Sequence, residues 1–79
     1  MKIPIIVTLK KEVLDPQGKV IQQTIQSMGI QNIISVRQGK YFELEIDEKN
    51  YENAKIKTDE VCKKLLANLV IEDYKIIDI

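Results

Sequence analysis

The sequence predicts an α+β fold in the order β-α-β-β-α-β, an antiparallel sheet with two helices on one face. Three observations carry this. Apolar residues alternate with period two near the start, in the middle and at the end of the chain. Two stretches with helical apolar spacing separate those runs. Short strings of Asp, Pro, Gly, Asn and charged residues stand where one kind of periodicity gives way to another. With no linker, low-complexity tract or repeat, residues 1–79 read as a single domain.

The elements follow in order. Ile3, Ile5, Val7 and Leu9 alternate with Pro4, Ile6, Thr8 and Lys10, giving a first strand over about 3–10. Pro4 cannot donate to a ladder and belongs near the strand's start or on an edge. Asp15-Pro16 is a helix start: the carboxylate accepts otherwise unpaired N–H groups, and proline is suited to the first helical position. Val20, Ile21, Thr24, Ile25 and Met28 then share one stripe, with Lys19, Gln22, Gln23 and Gln26 on the other side. Gly29 supplies a left-handed stop, so the helix covers about 16–28. Residues 33–37 read as a second strand. Gln38-Gly39 reads as a tight turn into a third strand, where Phe42, Leu44 and Ile46 alternate with Tyr41, Glu43 and Glu45. Ala54, Thr58, Val61, Cys62, Leu65 and Leu69 form the stripe of a second helix, with Asn68 as a breaker. Residues 74–79 read as a last strand. Ile76, Ile77 and Ile79 there put apolar groups on both faces, and a second subunit would cover the face turned from the helices.

Composition narrows the function. A domain this small buries only about 60% of its unfolded surface, so oligomerisation is the expected source of added stability. Cys62 is the one cysteine, so no internal disulfide can form, and a single thiol fits a cytoplasmic location. Lys plus Arg and Asp plus Glu are both 12, so the basic excess of a nucleic-acid binder is missing. No apolar run approaches the roughly 18 residues of a membrane span, and Met1-Lys2 leads directly into a strand pattern without a signal peptide.

Candidate chemistry is sparse. There is no histidine, hence no His-based acid–base pair, triad or ordinary zinc site. Cys62 falls on an apolar stripe without an evident base to activate it, as expected of a small buried hydrophobe. No catalytic, cofactor-binding or metal-binding residue is expected. Asp15, Gln17 and Gly18 have a capping explanation, although Gly18 inside a helix needs a reason such as close approach by another backbone. Arg37, Gly39, Lys40 and Tyr41 flank the expected turn. They read either as a solvated loop tip or as a contact made by an Arg fork and an amphipathic ring. Glu72, Asp73 and Tyr74 read as a solvated or partner-facing acidic turn, since Mg²⁺ needs more converging oxygens than two neighbouring carboxylates supply.

Three strings carry a family resemblance that covers nearly the whole chain. They are Leu14-Asp15-Pro16-Gln17-Gly18, Val36-Arg37-Gln38-Gly39-Lys40, and Leu65-Leu66-Ala67-Asn68 followed by Val70-Ile71-Glu72-Asp73-Tyr74. In this order and spacing the chain resembles the PurS family, small subunits of formylglycinamidine ribonucleotide synthase (phosphoribosylformylglycinamidine synthase, FGAM synthase). The resemblance implies a PurS-like sheet extended across a homodimer or a dimer of dimers. It also implies a non-catalytic role, joining a glutaminase subunit, PurQ, to a synthetase subunit, PurL. PurQ would release ammonia from glutamine, PurL would use ATP and Mg to convert FGAR to FGAM, and the small subunit would assist ammonia transfer. Asp15, Gln17, Gly18, Arg37, Gly39, Lys40, Tyr41, Glu72, Asp73 and Tyr74 are the candidate partner contacts.

Two other classes share the element order. An ACT-like regulatory domain would bind a small molecule, often beside a Gly-rich loop after the first strand, where this chain has Asp-Pro-Gln-Gly. A ferredoxin-like RNA-binding domain would need aromatics on its central strands. Here Phe42 is assigned to the core and Tyr41 stands alone on the other face.

Overall fold

A computed structural model describes residues 1–77. Strand β1 (Lys2–Leu9) is central. It pairs antiparallel with β2 (Gly39–Glu45) on one side and with β3 (Glu72–Ile76) on the other. Helix α1 (Pro16–Ser27) lies between β1 and β2 in sequence. Helix α2 (Tyr51–Val61) runs on into a π turn, Cys62–Leu66, before β3.

The register sorts the side chains by face. Ile5 stands opposite both Phe42 and Ile76, Ile3 opposite Leu44, and Val7 opposite Tyr74. Directly opposed residues project to the same face, so these side chains make one apolar surface. Ile3, Ile5 and Val7 are fully buried. Cys62 and Ala67 close over Ile5 and Val7, with Phe42, Leu44, Leu66, Tyr74 and Ile76 packed around them. Burial is the dominant favourable term for such side chains, about 1.5–3 kcal/mol for each large one. Thr58 and Ala54 are buried one and two turns before Cys62 on α2, and the Thr58 hydroxyl donates to the Ala54 carbonyl at 2.8 Å. The opposite face of the sheet carries Lys2, Ile6, Tyr41, Glu43, Glu45, Asp73 and Lys75. None of these is buried.

The α+β class and the antiparallel sheet hold, with two placements corrected. Residues 31–38 form no strand of the sheet, and the chain passes from them into β2 without a hairpin turn. The strand expected over 33–37 needs an adjacent strand to pair with, and among the described residues none lies beside it. Nor do both helices cover one face: α2 does, whereas α1 stands off the sheet with only Gly18 buried. Helix α1 and residues 30–38, here called the strap, form an arm. The radius of gyration is 16.0 Å and the long dimension 50 Å, against about 12 Å expected for a compact chain of this length. In the last strand Ile76 faces the core. Ile77 is half-buried and its N–H donates to the Pro4 carbonyl at 3.0 Å. Residues 78 and 79, including the expected contribution of Ile79, lie outside the described residues.

Candidate subunit interface

The local sequence explains how the arm is built. Asp15 is the N-cap of α1 with Pro16 in the first turn. It is buried, 6% exposed. One carboxylate oxygen accepts the Gly18 N–H at 2.9 Å and the other accepts the Gln38 N–H, also at 2.9 Å. A single side chain therefore starts the helix and ties the end of the strap to it. The Gln38 and Gly18 N–H groups hold the Asp15 carboxyl below the usual carboxylate range, Arg37 adds to the effect, and burial opposes it.

Arg37 reaches the other way. Its Nη1 donates to the Val13 carbonyl at 3.2 Å, and its Nη2 donates to Leu9 and Lys10 carbonyls at 3.3 and 2.7 Å. The guanidinium thus fastens the loop after β1 to the strap. The close approach expected at Gly18 is made by this chain's own backbone: a Cβ there would lie 2.1 Å from the Val36 carbonyl oxygen. Further along, Gln22 Nε2 donates to the Ile33 and Ile34 carbonyls at 3.1 and 2.6 Å. Periodicity places Gln22 on a solvated face, and nothing in the sequence marks it as a strap contact.

The three strings meet at one end of the sheet. A cavity of about 190 Å³ there is lined by Val7, Leu9, Asp15, Gln17, Gln38, Gly39, Lys40 and Glu72. Glu72 accepts the Asn68 N–H at 2.7 Å and pairs with Lys40 at 3.5 Å. The Lys10 N–H donates to the Ile71 carbonyl at 2.9 Å, and Lys10 pairs with Asp73 at 3.5 Å. Gly39 sits where a Cβ would meet the Val7 carbonyl oxygen at 2.7 Å. Two candidates lie elsewhere. Tyr41 is exposed on the uncovered sheet face, where its hydroxyl meets Glu43 at 3.5 Å. Tyr74 points into the core side and donates to Asp59. That carboxylate pushes the Tyr74 phenol up to about 12, while Tyr74 and then Lys63 hold Asp59 down.

Apolar side chains ring this end and line the arm. Leu14 is 71% and Val70 83% exposed, with Leu69 and Ile71 beside Val70. Along the arm Val20, Ile21, Met28, Ile30 and Ile33 are exposed, and Ile34 is 90% exposed. Sequence reasoning assigned the α1 stripe to a core and singled out none of these residues as a surface. Among the described residues no three His, Cys, Asp or Glu side chains gather as metal ligands, and no helix is long and apolar enough to cross a membrane. The Cys62 thiol is buried and pushed up, first by burial and then by the Asp59 charge. That makes it a poor nucleophile.

A small sheet with two open edges, a projecting arm and this much exposed apolar surface defines a class: an assembly subunit, built to be covered by other chains. Residues 2–78 match the family model described as PurS: Phosphoribosylformylglycinamidine (FGAM) synthase. The chain belongs to that family. It is 47% identical over 74 residues to the phosphoribosylformylglycinamidine synthase subunit PurS of Bacillus subtilis, spanning 94% of this chain and 87% of that one. The Methanocaldococcus jannaschii subunit is 41% identical over 75 residues, 95% of this chain and 90% of its own. Among solved structures, B. subtilis PurS in its C2 crystal form superposes with a TM-score of 0.84 at 46% identity, covering 96% of this chain and 94% of that chain. A chain in the structure of PurLQS from Thermotoga maritima gives 0.87 at 26% identity, covering 100% and 99%.

Proposed function

We propose that this chain is the non-catalytic bridging subunit of FGAM synthase in purine biosynthesis, acting in the cytoplasm as a homodimer or dimer of dimers. It would join a PurQ glutaminase to a PurL synthetase and assist ammonia transfer during conversion of FGAR to FGAM. ATP and Mg would be bound by the synthetase and not by this chain. The observation that carries the reading is the convergence of the three family strings on one end of the sheet, ringed by exposed Leu14, Leu69, Val70 and Ile71. Similarity to a chain of PurLQS supports the choice of partners. Asp15, Gly18, Arg37 and Gly39 shape that end from within, while Gln17, Lys40 and Asp73 are the groups on it best placed to meet a partner. Tyr41 and Tyr74 would meet one only on other surfaces.

Reconstitution tests this. Glutamine-dependent FGAM formation should require this chain together with the two partner subunits, and a high concentration of ammonium salt should partly replace it. Failure to bind either partner would remove the proposal.

A further inference from the structure

We propose that the partner subunit covering the sheet end also lays an extended segment along the outer edge of β3, as an added strand seated beside α2. The inference deepens the bridging role proposed above and rests on it. Strand β3 pairs with β1 on one side, and among the described residues nothing pairs with its other side. The Lys10 N–H donates to the Ile71 carbonyl, and the Ile77 N–H donates to the Pro4 carbonyl. Odd-numbered residues therefore turn their backbone groups toward β1, while Glu72, Tyr74 and Ile76 turn theirs outward. The Glu72 N–H is taken by the Asn68 carbonyl at 2.7 Å. This leaves the Tyr74 and Ile76 N–H groups on an open edge, a template for pairing with another chain.

Natural edges are guarded by proline, a bulge or a charge turned inward. Residues 73–76 contain no proline, and the charges of Asp73 and Lys75 stand on the uncovered face. On the core face the edge opens into a groove of about 250 Å³. Glu52, Lys55, Ile56 and Asp59 of α2 and Ile76 of β3 line it. Ile56 is 64% exposed. Directly opposed residues project to the same face, so a residue set opposite Ile76 on an added strand enters this groove. Glu52, Lys55 and Asp59 give it a polar rim of both signs. The chemistry that fits is an extended peptide, apolar where it faces Ile76 and polar on either side. In strand addition main-chain bonds give the affinity and such a pocket gives the specificity. The edge is continuous with the sheet end: Glu72 lines the cavity there, and Ile71 belongs to the exposed apolar ring. A partner seated on that end is already at the start of β3. A second copy of the chain fits less well. Antiparallel pairing of two β3 edges about Tyr74 sets Glu72 of each copy against Ile76 of the other on the apolar side.

Amide hydrogen exchange of the whole chain, alone and with PurQ and PurL, tests the proposal beside titrations against the two partners. The Tyr74 and Ile76 amides should exchange freely in the chain alone at any concentration and slow about tenfold or more in the complex. Ile56→Asp should weaken partner capture about tenfold, and Ile56→Leu should not. Protection of the β1 amides should match wild type in both variants, which separates lost docking from lost folding. Lys57→Ala, outside the groove and paired with Glu48, should leave capture intact. Free exchange at Tyr74 and Ile76 in an assembled complex, or capture unmoved by Ile56→Asp, would overturn the proposal. So would slowing of these amides as the chain alone is concentrated, which would assign the edge to a second copy. A complex that still restored glutamine-dependent turnover after such a result would leave the bridging role standing without the added strand. Capture of neither partner would remove both.

Discussion

Asp15 does two jobs with one carboxylate, and both depend on its charge. Its folded value is lowered from the ordinary 3.8. Its contribution is therefore complete above that range and is lost as pH falls through the depressed folded value. Asp15→Asn keeps the shape but cannot offer two anionic acceptors. We expect the variant to melt lower than wild type at neutral pH, with the two curves converging in strong acid. A constant offset at all pH values would contradict this. The sign reverses at Tyr74, whose phenol is raised to about 12. The stabilisation from its bond to Asp59 is complete below the unfolded phenol value and is lost as pH rises through the folded one. Ultraviolet titration should show a phenolate step near pH 12 that disappears in Tyr74→Phe. Cys62 is sealed under the sheet and should react with thiol reagents only after unfolding. Cys62→Ala should cost about 1 kcal/mol, the size of an ordinary core change, read from denaturant melts.

At the scale of elements, α2 is stabilised along its length by several small effects. The Asn50 side chain accepts the Asn53 N–H at 3.2 Å, capping the first turn. Asp59–Lys63 and Glu60–Lys64 are ion pairs at i,i+4, with distances of 3.0 and 2.6 Å. They are exposed, so each adds only a few tenths of a kcal/mol. Asn50→Ala should cost about 1 kcal/mol and lower the melting temperature by several degrees. The π turn after α2 swings the chain so that Cys62 and Ala67 both reach the core while Leu65 is left outside. Helix α1 depends on its strap instead. In Gly18→Ala the new methyl would occupy the space of the Val36 carbonyl. We expect faster amide exchange over 33–38 with β1, β2 and β3 unchanged. Equal protection in the variant would show that the strap is held without that contact.

For the whole molecule, uncovered surface outweighs any chemistry the chain could perform alone. The purified chain should neither hydrolyse glutamine nor turn over ATP. Glutamine hydrolysis that vanished in Cys62→Ala would contradict this. Arg37→Ala separates two roles. Its guanidinium is spent on carbonyls of its own chain, so its loss should disturb the arm before it alters capture of PurQ or PurL. Lys40→Ala breaks a pair with Glu72 in which only the lysine is exposed; Glu72 keeps its bond from the Asn68 N–H, so the change should act on partner binding with little effect on folding. Titration of each variant against the partner subunits, beside sedimentation of the variant alone, distinguishes the two.

The sequence by itself determined the local structure and the family. Alternation placed Ile3, Ile5 and Val7 inside, and Asp15-Pro16 marked the start of α1. Phe42 and Tyr41 were correctly divided between the two faces, and the three strings pointed to PurS. These features depend on residues near one another in the chain, where periodicity and capping chemistry operate. Only the tertiary structure decided what each surface faces. A helical stripe announces that Val20 and Ile21 will be covered, not that their own chain leaves them exposed. A strand pattern over 33–37 does not reveal that a partner strand is missing from its own chain. The roles of Arg37 and Gln22 were equally hidden, because their acceptors are backbone carbonyls, which every residue carries and no sequence pattern distinguishes.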